Sequence, residues 1–192
     1  MRACTLLALE ELQDAAPMVK YAMLVHDLGK VVTFEQQIEA SEQKGEPYDV
    51  KSLTKHFGHA EKRLPLVAEV SDKLKAPEDW KEFAQLVCKQ HMKAHDLDKM
   101  KDAKLYKFNQ EIPDKYFKAL MTWCQADELS RDIPEEEKDK IREGQRVRLN
   151  RVTEVSNYMK QHPNEDKEAF ANNFAKYKKQ QTLINKSTEN SM

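Results

Sequence analysis

The chain has 192 residues, enough for one domain with an appendage and a sizeable core. A third of them are charged, but 32 basic residues nearly cancel 33 acidic ones and the formal net charge is −1. That balance excludes a broadly basic nucleic-acid binder and leaves room only for a local basic surface.

Glycine is scarce and alternating β-branched runs are few, so the composition predicts helices rather than sheet. Residues 3–12 read as a short amphipathic helix, with Leu6, Leu9 and Leu12, or Leu7 and Ala8, as its buried face. Pro17 opens a second helix that runs to His26-Asp27, with Gly29 fitting its C-terminal end. Residues 31–52 read as a long polar loop with a turn at Gly45-Glu46-Pro47. A helix follows over 59–74, with Leu64, Val67, Ala68 and Leu74 as its stripe. Pro77-Glu78-Asp79 starts another, carrying Phe83, Leu86, Val87 and Cys88 toward His91 and His95. Residues 96–112 read as a Lys-rich connection. Pro113 starts a helix leading to Asp127, and Pro134 starts one that His162-Pro163 breaks. A last helix covers roughly 165–183. The fold class is therefore all-α, with seven or so helices, divided into a domain over 1–133 and a helical extension over 134–192.

Cys4, Cys88 and Cys124 are far apart and form no CxxC pair, which suits small core residues in a reducing compartment. No stretch has the apolar length of a membrane span and no signal pattern opens the chain, so a cytoplasmic, non-membrane protein is expected.

Five of the six histidines, His26, His56, His59, His91 and His95, adjoin apolar helical runs in the first half of the chain. An imidazole and a carboxylate side by side, as in His26-Asp27, suit a borderline or hard divalent metal. Lys30 then lies in the same mouth as a point charge for phosphate. His91 and His95 are spaced i, i+4, without the glutamate of a zinc-protease motif. The apolar run before His91 turns it inward. His95 suits a supporting position as well as a ligand, and so does His56. His59, at a helix start, faces the same cleft. Asp127 ends an apolar run, with Arg131 four residues on to orient it or to meet phosphate.

The segments Val25-His26-Asp27-Leu28-Gly29-Lys30, His56-Phe57-Gly58-His59, Leu86-Val87 with His91, and Ala126-Asp127 with Arg131 resemble the HD superfamily of metal-dependent phosphohydrolases. Order and spacing look most like the C-terminal HD domain of bacterial CCA-adding tRNA nucleotidyltransferases, over residues 2–131. The resemblance implies an all-α HD fold and a divalent metal (Mn, Ni, Co, Mg, Zn or Fe). It implies hydrolysis of phosphomonoesters or 2′,3′-cyclic phosphodiesters on nucleotides or RNA ends, tRNA included. Carried across by position, the ligands are His26, Asp27, His59, His91 and Asp127, and Lys30 touches substrate phosphate. Asp27 or Asp127 takes the proton of the attacking water, and Lys30 and Arg131 hold phosphoryl oxygens.

Two departures follow. The family's first histidine corresponds to Arg2, which has no lone pair to give a metal and suits phosphate instead. No Gly-Ser with Asp-x-Asp polymerase motif is present, so nucleotide addition is not expected, as in a trimmed or split relative of the longer enzyme. Two other readings stand beside hydrolysis of RNA ends. One is a degenerate HD domain that binds tRNA, nucleotide or a partner without catalysis. The other is a hydrolase of free (d)NTPs, dNMPs or an alarmone. Lys138, Lys140, Arg142, Arg146, Arg148 and Arg151 mark either an RNA-contacting face or an ordinary solvated helix. Tyr158 and Tyr177 are too sparse for a stacking platform.

Overall fold

The structure, a computed structural model, describes residues 4–45 and 59–189, with the side chains of residues 4, 31–34, 59–63 and 184–189 outside that description. Nine helices and no strand occur among the described residues: α1 (Cys4–Glu11), α2 (Pro17–Val25), α3 (Leu28–Lys44), α4 (His59–Lys73), α5 (Glu78–His95), α6 (Asp102–Glu111), α7 (Asp114–Leu129), α8 (Glu135–Gln161) and α9 (Lys167–Glu189). The all-α class expected from composition holds. No helix among them is long and apolar enough to cross a membrane.

The chain divides into two units, Met1–His95 with Lys115–Arg142, and Asp96–Asp114 with Glu143–Met192. In the first, α2 and α5 share the most extensive packing, and α4 packs on both α3 and α5. Val19, Ala22, Met23 and Val25 of α2 meet an interior that also holds Phe83, Ala84, Val87 and Cys88 of α5 and Leu120, Trp123 and Cys124 of α7. Tyr21 of α2 bonds Ser71 of α4 at 2.8 Å, and Ser71 in turn donates to the Val67 carbonyl at 2.6 Å. On α1 it is Ala8 and Leu12 that are buried, while Leu6 is exposed. Leu74, expected on the apolar stripe of α4, lies past the helix and is exposed.

Two stretches expected to be irregular are helical. Residues 31–44, expected as loop, belong to α3, which ends at Gly45 in the left-handed region (φ 65°) that glycine adopts at low cost. Gly29, expected to end α2, sits in the first turn of α3, and Gly45 is the one positive-φ glycine among the described residues. Residues 102–111, expected within a connection, form α6, because Leu105, Tyr106 and Phe108 make a buried face between its lysines.

The second unit packs α6 and α9 with most of α8. Its core is aromatic: Tyr106 meets Phe170 at 4.7 Å between ring centroids, and Tyr158 meets Phe170, Phe174 and Tyr177. Tyr158 and Tyr177 are thus packing residues. Arg151 donates to the carbonyls of Leu97, Asp98 and Met100 and to Asp102, tying down the turn before α6.

The basic segment of α8 is correspondingly neutralised. In the first unit Lys138 faces Glu135, Lys140 lies 3.0 Å from Glu136, and Arg142 lies 2.7 Å from both Glu135 and Asp139. In the second, Arg146 pairs with Glu143 at 2.7 Å, and Arg148 faces Asp98 at 3.7 Å. Of the two sequence readings, the ordinary helix face laced by short-range ion pairs is the one this geometry matches.

Candidate metal centre

The His26-Asp27 pair lies at a junction between helices. His26 keeps helical angles (φ −62°, ψ −28°) as the C-cap of α2, while Asp27 (φ −100°, ψ 5°) is the N-cap of α3. An aspartate there ordinarily accepts hydrogen bonds from the first amides of its own helix. Asp27 makes no such cap. Its Oδ2 lies 2.6 Å from Lys30 Nζ and 3.2 Å from His26 Nε2. Burial pushes its carboxyl upward, but the bonds from His26 and Lys30 outweigh that and hold it well below the usual carboxylate range. Asp27 is ionised at neutral pH.

The buried His26 ring lies with Nδ1 2.7 Å from the Met23 carbonyl. A carbonyl only accepts, so Nδ1 donates to it, and Nε2 is left facing the Asp27 carboxylate. At 3.2 Å the two atoms are close enough to share one positive centre, a proton on Nε2 or a metal ion. Two donors about 2.1 Å from one ion stand about 3.0 Å apart at a right angle and about 3.4 Å apart at a tetrahedral one. The His26–Asp27 separation falls between those values.

His91, on α5, repeats the arrangement: its ring is buried and Nδ1 donates to the Val87 carbonyl at 2.9 Å. Its centroid is 6.4 Å from that of His26. Two Nε2-bound imidazoles on one ion lie about 5 Å apart, so the rings are about 1 Å further apart than a shared ion needs. Consistent with that spacing, no group of three or more His, Cys, Asp or Glu among the described residues is arranged to hold a metal.

Asp127, on α7, is in the same neighbourhood. Burial raises its carboxyl, while the His95 bond and the charges of His26, His95 and His91 lower it, and lowering wins. Its Oδ2 is 3.1 Å from His95 Nε2, and His95 Nδ1 is 2.8 Å from Oε1 of Glu128, itself buried. With a carboxylate on each nitrogen, the His95 ring carries both hydrogens. Burial alone would lower its pKa, but Asp127 and Glu128 raise it to about 9. His95 is therefore a cation that braces Asp127. Glu128 was not expected from the sequence, and its place directly after Asp127 was the available signal.

The structure thus brings His26, Asp27, Lys30, His91, His95 and Asp127 together. Arg2 and His56 lie outside the described residues, as does the side chain of His59, whose backbone starts α4. Arg131 does not make the expected helical pairing with Asp127. The helix stops at Leu129, and the exposed Arg131 lines a cleft of about 340 Å³ with Leu7, Glu10, Glu11, Asp132 and Lys138. Cys88, beneath the site, turns its thiol toward the His26 carbonyl at 3.8 Å. The donor set of imidazole Nε2 atoms and ionised carboxylates fits a borderline or hard divalent cation. In the present geometry Lys30 and His95 answer the two carboxylates.

No family model matches the chain, and no solved structure matches it. Curated relatives do. The chain is 34% identical over 118 residues to the multifunctional CCA protein of Acinetobacter baylyi, covering 59% of this chain and 25% of that protein. It is 33% identical over 118 residues to the one from Methylobacillus flagellatus, and 30% identical over 128 residues to the one from Legionella pneumophila, covering 64% of this chain and 27% of that relative. The chain thus spans about a quarter of the length of the relatives it matches, and over that span it resembles a segment of multifunctional CCA proteins.

Proposed function

We propose that residues 1–133 act as a metal-dependent phosphohydrolase or phosphodiesterase on nucleotides or RNA ends, tRNA included, with residues 134–192 as a helical extension. The observation that carries this is the 3.2 Å separation of His26 Nε2 and Asp27 Oδ2, with His26 Nδ1 donating to the Met23 carbonyl. His26, Asp27, His91 and Asp127 would hold the divalent cation, with His59 at the start of α4 as a further donor. When bound, such a cation lowers the pKa of water and neutralises charge on a phosphoryl oxygen. Asp127, kept ionised by His95, accepts a proton at a carboxylate oxygen. Lys30 is half-exposed, so its ammonium can reach from Asp27 to a phosphate oxygen. Arg2 is the second proposed phosphate contact. Arg131 is left out, because it lines another cleft. The similarity to multifunctional CCA proteins supports the RNA end as substrate class.

The direct test is phosphate release from 2′,3′-cyclic AMP and p-nitrophenyl phosphate with Mn²⁺, Ni²⁺, Co²⁺ or Mg²⁺. Turnover with at least one ion, lost in Asp27→Asn, is expected. Folded protein inert with all of them refutes the proposal. A second reading is a non-catalytic binding domain. It is favoured by the internal cations on both carboxylates and by Arg2 in place of a histidine. Purified protein that holds no metal yet binds RNA supports it.

A further inference from the structure

We propose that Lys30 couples the two ligands of this centre: its one ammonium serves either Asp27 or a phosphate oxygen, so phosphate frees the Asp27 carboxylate for the divalent cation and the two bind with positive cooperativity. The inference rests on reading the site as a metal-dependent one that acts on phosphate esters. His26 Nε2 and Lys30 Nζ meet the same oxygen of Asp27, Oδ2, at 3.2 Å and 2.6 Å. A cation gripped by His26 Nε2 and that oxygen would share the oxygen with the ammonium, and like charges at that range repel.

Three features let Lys30 change partners. Its side chain is 46% exposed, and a flexible four-carbon stem carries the charge. Lys30 stands in the first turn of α3, where the helix dipole disfavours a cation, and the pair with Asp27 offsets that. Asp27, although the N-cap of α3, makes no side-chain cap bond, so breaking the pair with Lys30 undoes no helix cap. A phosphate dianion offers the ammonium charge-assisted bonds of the same kind as the carboxylate does. Whichever ligand arrives first separates Lys30 from Asp27, and the second no longer has to. By linkage the gain is the same in either order.

The full chain, stripped with EDTA, is titrated calorimetrically with Co²⁺, alone and with phenylphosphonate, whose carbon–phosphorus bond is not hydrolysed. Wild type is compared with Lys30→Met, which keeps the length of the stem and removes the charge, and with Lys30→Arg, which keeps a cation beside Asp27. Affinity for Co²⁺ alone is expected to rise about three- to tenfold in Lys30→Met, the scale of a half-exposed ion pair together with repulsion from a neighbouring charge. It is expected not to rise in Lys30→Arg. Phenylphosphonate should tighten Co²⁺ binding more in wild type than in Lys30→Met, by about the factor that the substitution itself gains. What remains in Lys30→Met is direct contact between phosphonate and cation.

A pair that only supports the fold predicts the opposite sign, a weaker site in Lys30→Met. A rise of less than threefold, a fall, or equal tightening by phenylphosphonate in the two proteins overturns the coupling while leaving the metal site in place. Co²⁺ bound by neither wild type nor Lys30→Met refutes the metal reading, and the coupling falls with it.

Discussion

Replacing His95 with glutamine tests the brace on Asp127 through its dependence on pH. The ring touches Asp127 at 3.1 Å and Glu128 at 2.8 Å, and its side chain is only 15% exposed. A rise from 6.5 to about 9, at about 1.4 kcal/mol per unit, corresponds to about 3 kcal/mol of stability. Because the folded pKa lies above the unfolded one, that contribution is fully present below pH 6.5 and is lost as pH rises through about 9. Glutamine keeps much of the shape and a hydrogen-bond donor but cannot carry the charge. Urea unfolding with EDTA present should therefore show wild type more stable than His95→Gln by about 3 kcal/mol near pH 6. The gap should shrink steadily above pH 6.5 and level off beyond pH 9, leaving only the loss of packing. A gap that stays constant over that range would mean that the ring is neutral in the folded state and that no cation braces Asp127.

Lys30→Ala should change stability by no more than about 1 kcal/mol, because its pair with Asp27 is half-exposed. Phosphate release should nonetheless fall at least tenfold, and an unchanged rate would remove Lys30 from the phosphate grip. Arg151→Ala should cost about 2–4 kcal/mol in urea unfolding, since it strips three carbonyls and Asp102 of a charged donor. Arg151→Lys should recover little, because one ammonium cannot span that fork. A cost below about 0.5 kcal/mol would refute the role. Neutralising Arg142 and Arg146 together should alter RNA affinity less than twofold, as both are engaged by neighbouring carboxylates. A steep loss with a reduced salt slope would restore α8 as an RNA-binding face.

Helices announced by a proline were legible in the sequence: Pro17 opens α2, Pro77 precedes α5 and Pro134 precedes α8. The failures have physical causes. α3 lacks a strong apolar stripe, and its Glu, Gln, Lys and Ala residues favour helix through intrinsic propensity rather than periodicity. In α6 the lysines masked the buried run of Leu105, Tyr106 and Phe108. The Asp127–Arg131 pairing failed because α7 ends at Leu129, close before Pro134, which restricts the residue preceding it.

Within the site, His26 and His91 could be read from the apolar runs that deliver them. Their Nδ1 hydrogen bonds could not, because they depend on the Met23 and Val87 carbonyls, and backbone geometry does not show in residue identity. Trp123 looked like any core aromatic, yet its ring stands nearly perpendicular to those of His26 and His91. Glu128 looked like surface charge beside Asp127, yet it is buried against His95.

The central claim is that His26 and Asp27, with His91 and Asp127 beside them, form the grip for a divalent cation. Titration of EDTA-stripped protein with Co²⁺, followed by its visible absorption, tests this most directly. Saturable binding with nitrogen-and-oxygen coordination, abolished in both His26→Ala and Asp127→Ala, is the predicted result. Absorption that never departs from that of free Co²⁺, or binding that survives in both variants, would contradict it.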